Sequence, residues 1–271
     1  MKKVFAALLL VAVASGLASA AEINFTGNVG GGHFTGDWGN AANWFIHPSP
    51  AGRIPEAGDN ISIDRGWGGA TANLDGDTLG NKLTVGYWTS NELNISAGST
   101  VDLSGNLLIG GRIGAHGKVT NSGDIITGSQ AIVGDYGDGT LTMNGGSLTS
   151  TYFNNPGWWA DDTSAAGQTT AHVQLNGGTI TAWDWNMATH KGEKNGTMDL
   201  AGGTFVVTRA DGKSKAENFV AEGWLTAYGG IGTVSIENVG ANVVISGVVP
   251  EPASLVLLSL ASLVLVVRRR K

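Results

Sequence analysis

Tyr152, Trp158, Trp159, Trp183 and Trp185 fall between glycine-rich segments in the second half of the chain, with Asp184 and Arg209 close by. Flat π faces beside charge are groups on which sugar rings stack and over which cations sit. Two residues apart on a strand share a face, so Trp183 and Trp185 are expected together, and a turn at Thr181 to Ala182 that reverses the alternation would present both rings outward beside Tyr152. Counted from Gly146, Gly178 and Gly203, an offset of six reaches Tyr152, Asp184 and Arg209. Equal offsets stack if the chain coils regularly. The competing reading folds these aromatics against the wall of the molecule as ordinary packing.

Other constellations carry less. Asp75-Gly-Asp77 begins like a calcium loop, yet its fifth position is Leu79 and its twelfth is Gly86, where that loop needs oxygen ligands and a bidentate Glu. Gly134-Asp135-Tyr136-Gly137-Asp138-Gly139 reads as a solvated turn. The five histidines, His33, His47, His116, His172 and His190, show no zinc-ligand spacing. Asp161-Asp162 has no neighbouring base to complete a glycosidase pair, and no nucleophile elbow or phosphate loop is present. No cysteine occurs, which removes thiol catalysis, thiolate metal sites and disulfides together. The expectation is a protein without catalytic residues, metal or cofactor. Four Asn-x-Ser/Thr sequons, at Asn24, Asn60, Asn94 and Asn195, are assigned no glycans.

The elements that position these residues are short strands. Forty-three glycines against six prolines, with frequent Thr, Ser, Asn and Val, describe many strands separated by tight turns. No helical periodicity stands out. Residues 141–149, 173–181 and 198–206 follow one template: alternating apolar positions, a glycine pair, a small hydroxyl residue, and another apolar position. Weaker copies fall at 93–98, 118–123 and 234–240. A second element, Thr84-Val-Gly86, Leu108-Ile-Gly110 and Ile132-Val-Gly134, recurs every 24 residues. Two dozen residues suffice for one coil of a parallel solenoid. The fold expected is all-β, a single-stranded parallel β-helix whose six turns stack to about 29 Å. A β-sandwich is the alternative, and the 24-residue glycine spacing argues against it.

The opening of the mature region differs: Gly36-Asp37-Trp38, Asn43-Trp44, then Pro55-Glu-Ala-Gly-Asp59-Asn-Ile-Ser-Ile63. This resembles the start of bacterial solenoid proteins of the autotransporter-passenger and PEP-CTERM type. A solenoid end exposes apolar interior and unpaired strand edge, and Trp38 and Trp44 are expected to plug it.

Both chain ends read as targeting segments. Lys2 and Lys3 precede an apolar run from Val4 to Ala14, and Ala18-Ser19-Ala20 supplies small residues for cleavage, so residues 1–20 are expected to be a signal peptide. Pro250, Glu251 and Pro252 lead into an apolar run from Leu255 to Val267 and then into Arg268, Arg269, Arg270 and Lys271. The order and terminal position of these parts resemble the PEP-CTERM sorting tail. The resemblance implies recognition by an exosortase, a membrane protease-transferase cutting near Pro250 to Pro252. As a transmembrane helix, residues 253–267 would cover about 22 Å of a core near 30 Å, a short span whose four terminal cations favour the cytoplasmic side. Ordinary single-pass anchoring is the alternative.

Four segments result: 1–20 signal peptide, 21–70 cap, 71–249 solenoid repeats and 250–271 sorting tail. Between the ends, ten Lys and Arg face twenty-one Asp and Glu. That acidity disfavours nucleic acid as a partner. The sequence therefore points to an exported envelope or matrix structural protein that passes through the inner membrane to the surface. Exopolysaccharide binding through the aromatic residues is the second reading, and a polysaccharide-active enzyme the third.

Overall fold

The computed structural model describes residues 21–25, 34–46, 49–63, 69–112, 114–155, 169–187 and 196–249. The expected signal peptide, the sorting tail and its apolar run, Trp158, Trp159, Asp161 and Asp162 lie outside the described residues.

The chain coils into a three-faced parallel β-solenoid. In each turn a strand of the first face is followed by one of the second and one of the third, and each pairs in parallel with its counterpart one turn on. Ser90–Ile95, Thr100–Leu103 and Leu107–Ile109 form one such turn; His116–Asn121, Asp124–Thr127 and Gln130–Val133 form the next. Their registers are unbroken: Val119 pairs with Leu93, Ile125 with Val101 and Ile132 with Leu108. Inward and outward positions alternate along strands such as His116–Asn121 and Asp124–Thr127, as in the buried Val119 and Ile125, whereas the third-face Lys82–Val85 and Gln130–Val133 bury three successive residues. Stacked coils thus share a single apolar core running along the tube.

The repeats explain the corners. Gly86, Gly110 and Gly134 all take positive φ, between 72° and 76°, at the bend from the third face back to the first. L side chains avoid that region, and added bulk would strike the next coil's backbone. Outside the tube, polar side chains pair along the stack: Asn176 Nδ2 donates to Asn144 Oδ1 at 3.0 Å, and Asn94 Nδ2 to Asn73 Oδ1 at 3.0 Å.

Both ends depart from the coil. At the first, Trp38 and Trp44 are buried edge-to-face at 4.7 Å, and Trp38 Nε1 donates to Thr78 Oγ1 on the outermost second-face strand, Thr78–Gly80. Glu22–Phe25 pairs in parallel with Asn60–Ile63 but antiparallel with Trp44–Ile46, whose own partner is Ser49–Pro50. A proline edge offers one fewer donor to a passing strand.

The other end corrects two expectations. Residues 234–240 are no coil: Thr233–Val239 and Asn242–Val248 form an antiparallel hairpin, and the second strand lies antiparallel on Thr204–Val207. Alternating apolar residues serve either pairing direction, which is why this segment imitated a repeat. A ten-residue α-helix, Gly212–Ala221, stands where the third face would continue. It buries only Gly212, Ala216 and Phe219, too few positions to give a helical pattern in the sequence. Among the described residues no helix is long and apolar enough to cross a membrane.

Candidate functional site

The strand Thr179–Asn186 runs through the corner between the second and third faces, and its pairing with Ser147–Asn154 sets Tyr152 against Asp184 as the equal offsets predict. Tyr152 and Trp183 meet edge-to-face at 5.5 Å on the outside, 36% and 45% exposed. The guanidinium of Arg209 lies 5.3 Å from the Trp183 ring centre. The offset row is therefore real.

Trp185 does not join it. The side chain is 1% exposed and packs edge-to-face on Phe205 at 4.7 Å and on Phe219 at 4.8 Å. The expected shared face fails because the corner breaks alternation. Ala182 points in and Trp183 out, but after half-buried Asp184 it is Trp185 that turns inward. Thr151 and Tyr152 show the same slip, two successive residues exposed before buried Phe153. A bend places two neighbouring side chains on its convex side, so period two holds only within each straight face. Trp185 belongs to the core, and Tyr152 and Trp183 remain as the outward pair.

Charge fixes this corner. Asp184 accepts from Arg209 at 2.6 Å and Lys215 at 2.8 Å, and the Trp185 backbone N–H adds a third bond at 2.8 Å. Burial alone would push its carboxyl up; the bonds from Lys215 and Trp185 and the charges of Lys215 and Arg209 outweigh it, so the group sits below the usual carboxylate range. Arg209 also pairs with Asp211 at 2.7 Å. Lys215 lies on the helix Gly212–Ala221, so the same cluster ties that helix to the coil.

Several of the remaining described candidates have partners within the fold. Asp77 accepts from the Thr100 backbone N–H, and Asp138 accepts from Thr170 and pairs with His116 at 2.9 Å. His172 Nδ1 lies 2.9 Å from Thr197 Oγ1. Asp135 is not in a solvated turn: it is 8% exposed, and burial, only partly offset by the charge of Lys82, pushes its carboxyl up to about 6. Among the described residues no group of three or more His, Asp and Glu is placed to hold a metal ion.

A second aromatic row escaped the reading of the sequence. Two positions past Gly86, Gly110 and Gly134 stand Trp88, Arg112 and Tyr136, on successive coils at the corner between the third and first faces. Gly111 N donates to the Gly86 carbonyl at 2.8 Å and Tyr136 N to the Gly110 carbonyl at 3.2 Å, which fixes the stacking. The Arg112 guanidinium carbon sits 3.4 Å from the Trp88 ring centre, and Tyr87 meets Trp88 edge-to-face at 5.2 Å. The signal was available: extending the 24-residue glycine spacing by two positions finds the row.

Comparison with known proteins places the tail. Residues 248–271 match the family model of the PEP-CTERM protein-sorting motif. No curated protein and no solved structure matches the chain. The motif implies an exported protein, sorted by exosortase to the cell surface.

Proposed function

We propose that the mature region is a rigid scaffold of the cell envelope or extracellular matrix, delivered by its signal segment and released through its sorting tail. The observation that carries this reading is the parallel stacking of coil on coil, from Asn60–Ile63 on the third face and Thr78–Gly80 on the second to Thr204–Val207, with antiparallel strands at each end, directly ahead of a sorting motif. Such a body gains stiffness from stacking, since every coil is held by two others. The likeness of residues 36–63 to autotransporter-passenger solenoids fits a surface role. On this reading the chain is not an enzyme, and its partners are the exosortase, the membrane during sorting, and then the matrix.

Processing tests delivery. Mass spectrometry of the envelope-bound protein is expected to find a C-terminus near Pro250 to Pro252, and deletion of residues 250–271 is expected to release the protein into the medium. Persistence of Arg268 to Lys271 in the mature protein would replace this reading with simple membrane anchoring. Cosedimentation with cell-free matrix separates a scaffold from a freely secreted protein.

A second reading rests on the outward pair Tyr152 and Trp183. Exopolysaccharide binding there is weak at one site, around millimolar, and is strengthened when many copies line a matrix. Tryptophan fluorescence titrated with the producing cell's own exopolysaccharide is expected to respond in the wild type and not in Trp183→Ala. Equal responses would exclude the Tyr152 and Trp183 pair as a binding face.

A further inference from the structure

Of the three described arginines, two are held by carboxylates. Arg53 bonds Asp59, and Arg209 bonds Asp184 and Asp211. Arg112 differs: among the described residues it makes no side-chain hydrogen bond or ion pair, and its partner is the face of Trp88. Stacking occupies the flat side of a guanidinium and leaves its in-plane N–H groups directed outward. An arginine so held loses little freedom when a planar oxyanion arrives, and its fork matches a carboxylate in bidentate fashion.

The surroundings suit this role. Carboxylates on the adjoining first-face strands are engaged, Asp138 with His116 and Thr170, and Glu92 with Lys118 at 3.2 Å. Net acidity acts on a ligand mainly within the screening length, about 8 Å at physiological salt. Beside the cation, Tyr87 and Trp88 keep 41% and 54% of their surface exposed.

We infer that Arg112, Trp88 and Tyr87 form a binding site for the carboxylate-bearing sugar units of an acidic polysaccharide. The carboxylate takes the N–H edge of Arg112, and the apolar C–H face of the pyranose covers the exposed ring surface beside it. An extended acidic peptide fits less well. This corner lies on the side of the tube, where strand N–H groups are already paired between coils, so a peptide would find no sheet edge to join. The inference is independent of the Tyr152 and Trp183 reading, because the two rows occupy different corners.

The test is calorimetric titration of the full-length chain in detergent micelles with tri-galacturonate, its methyl ester, maltotriose, inorganic phosphate and tetra-glutamate. Tri-galacturonate is expected to bind at around millimolar strength, with the ester and maltotriose weaker by about tenfold or more. Arg112→Gln is expected to lose about tenfold for the acid alone, bringing acid and ester level. Arg112→Lys, which keeps the charge without the fork, should fall between. Lys213→Gln, which removes an exposed cation of the helix Gly212–Ala221, should bind as the wild type does. The ester arm uses unaltered protein, so it stands even if a variant folds poorly. Equal binding of acid and ester, or an unaffected Arg112→Gln, overturns the site. So does equal loss in Lys213→Gln, which would make the effect one of general charge. Phosphate or tetra-glutamate binding as tightly as the trisaccharide overturns the sugar assignment.

Discussion

Asp135 and Asp184 are both drawn in from solvent, yet their surroundings move them in opposite directions. Burial opposes ionisation of each; Asp184 has two cations and a backbone donor to reverse it, whereas Asp135 has only the charge of Lys82. The unfolded Asp135 carboxyl titrates near 3.9 and the native one at about 6. Between those values the native state keeps a proton that the unfolded chain has lost, so this group's contribution falls as pH rises from about 4 to about 6 and stays low above. Two units correspond to about 3 kcal/mol at most. Asp135→Asn is therefore expected to be more stable than the wild type at pH 7.5 by about 1–3 kcal/mol and nearly equal to it at pH 4. Denaturant midpoints of the two proteins across pH 4 to 7.5 provide the check; curves that stay parallel would place Asp135 in water after all. Residue by residue, the sequence shows partners better than depth. The offset row of Tyr152, Asp184 and Arg209 could be counted from glycines, while the burial of Trp185 and Asp135 depends on corners that no count reveals.

Glycine pairs are where coil meets coil. Gly146 and Gly178 both adopt positive φ, and a Cβ on Gly178 would overlap the Gly145 and Gly146 carbonyls of the coil below. Gly98 has φ of 84° but open space around it. Gly98→Ala is expected to cost about 1–2 kcal/mol from backbone strain alone. Gly178→Ala adds the clash and is expected to cost about 3 kcal/mol or more, because a close-packed stack cannot yield locally. Thermal melts of the two variants separate these contributions, and equal losses would show that close approach is not what the pair provides. This level was the most legible, since spacing of 24 residues and alternation of apolar positions follow directly from stacking. What stayed hidden was local in another way. The helix Gly212–Ala221 rests on two apolar contacts and an ion cluster, and the hairpin strands obey the same alternation as the coils.

A stack of parallel coils is an open-ended polymer unless its ends are closed, because each terminal strand offers unpaired N–H and C=O groups to another copy. The first end is blunted by antiparallel Trp44–Ile46, by Pro50 and by Trp38 bonding the Thr78 hydroxyl. At the second, Asn242–Val248 covers Thr204–Val207, with Val243 opposite Val207 and Ile245 opposite Phe205. Both Val243 and Ile245 are buried. Replacing them together by Asp places two carboxylates against an apolar wall, a cost of several kcal/mol that undocks the hairpin rather than the coils beneath it. Thr204–Val207 then becomes a free edge beside exposed Phe205. For the chain ending at residue 249, the Val243→Asp, Ile245→Asp variant is expected to self-associate as concentration rises, with its strand content retained. Sedimentation velocity over a tenfold concentration range reads this, and circular dichroism on the same samples confirms that the coils persist. A variant that sediments as the wild type does, with its strands intact, would mean that something other than the hairpin keeps the end from growing.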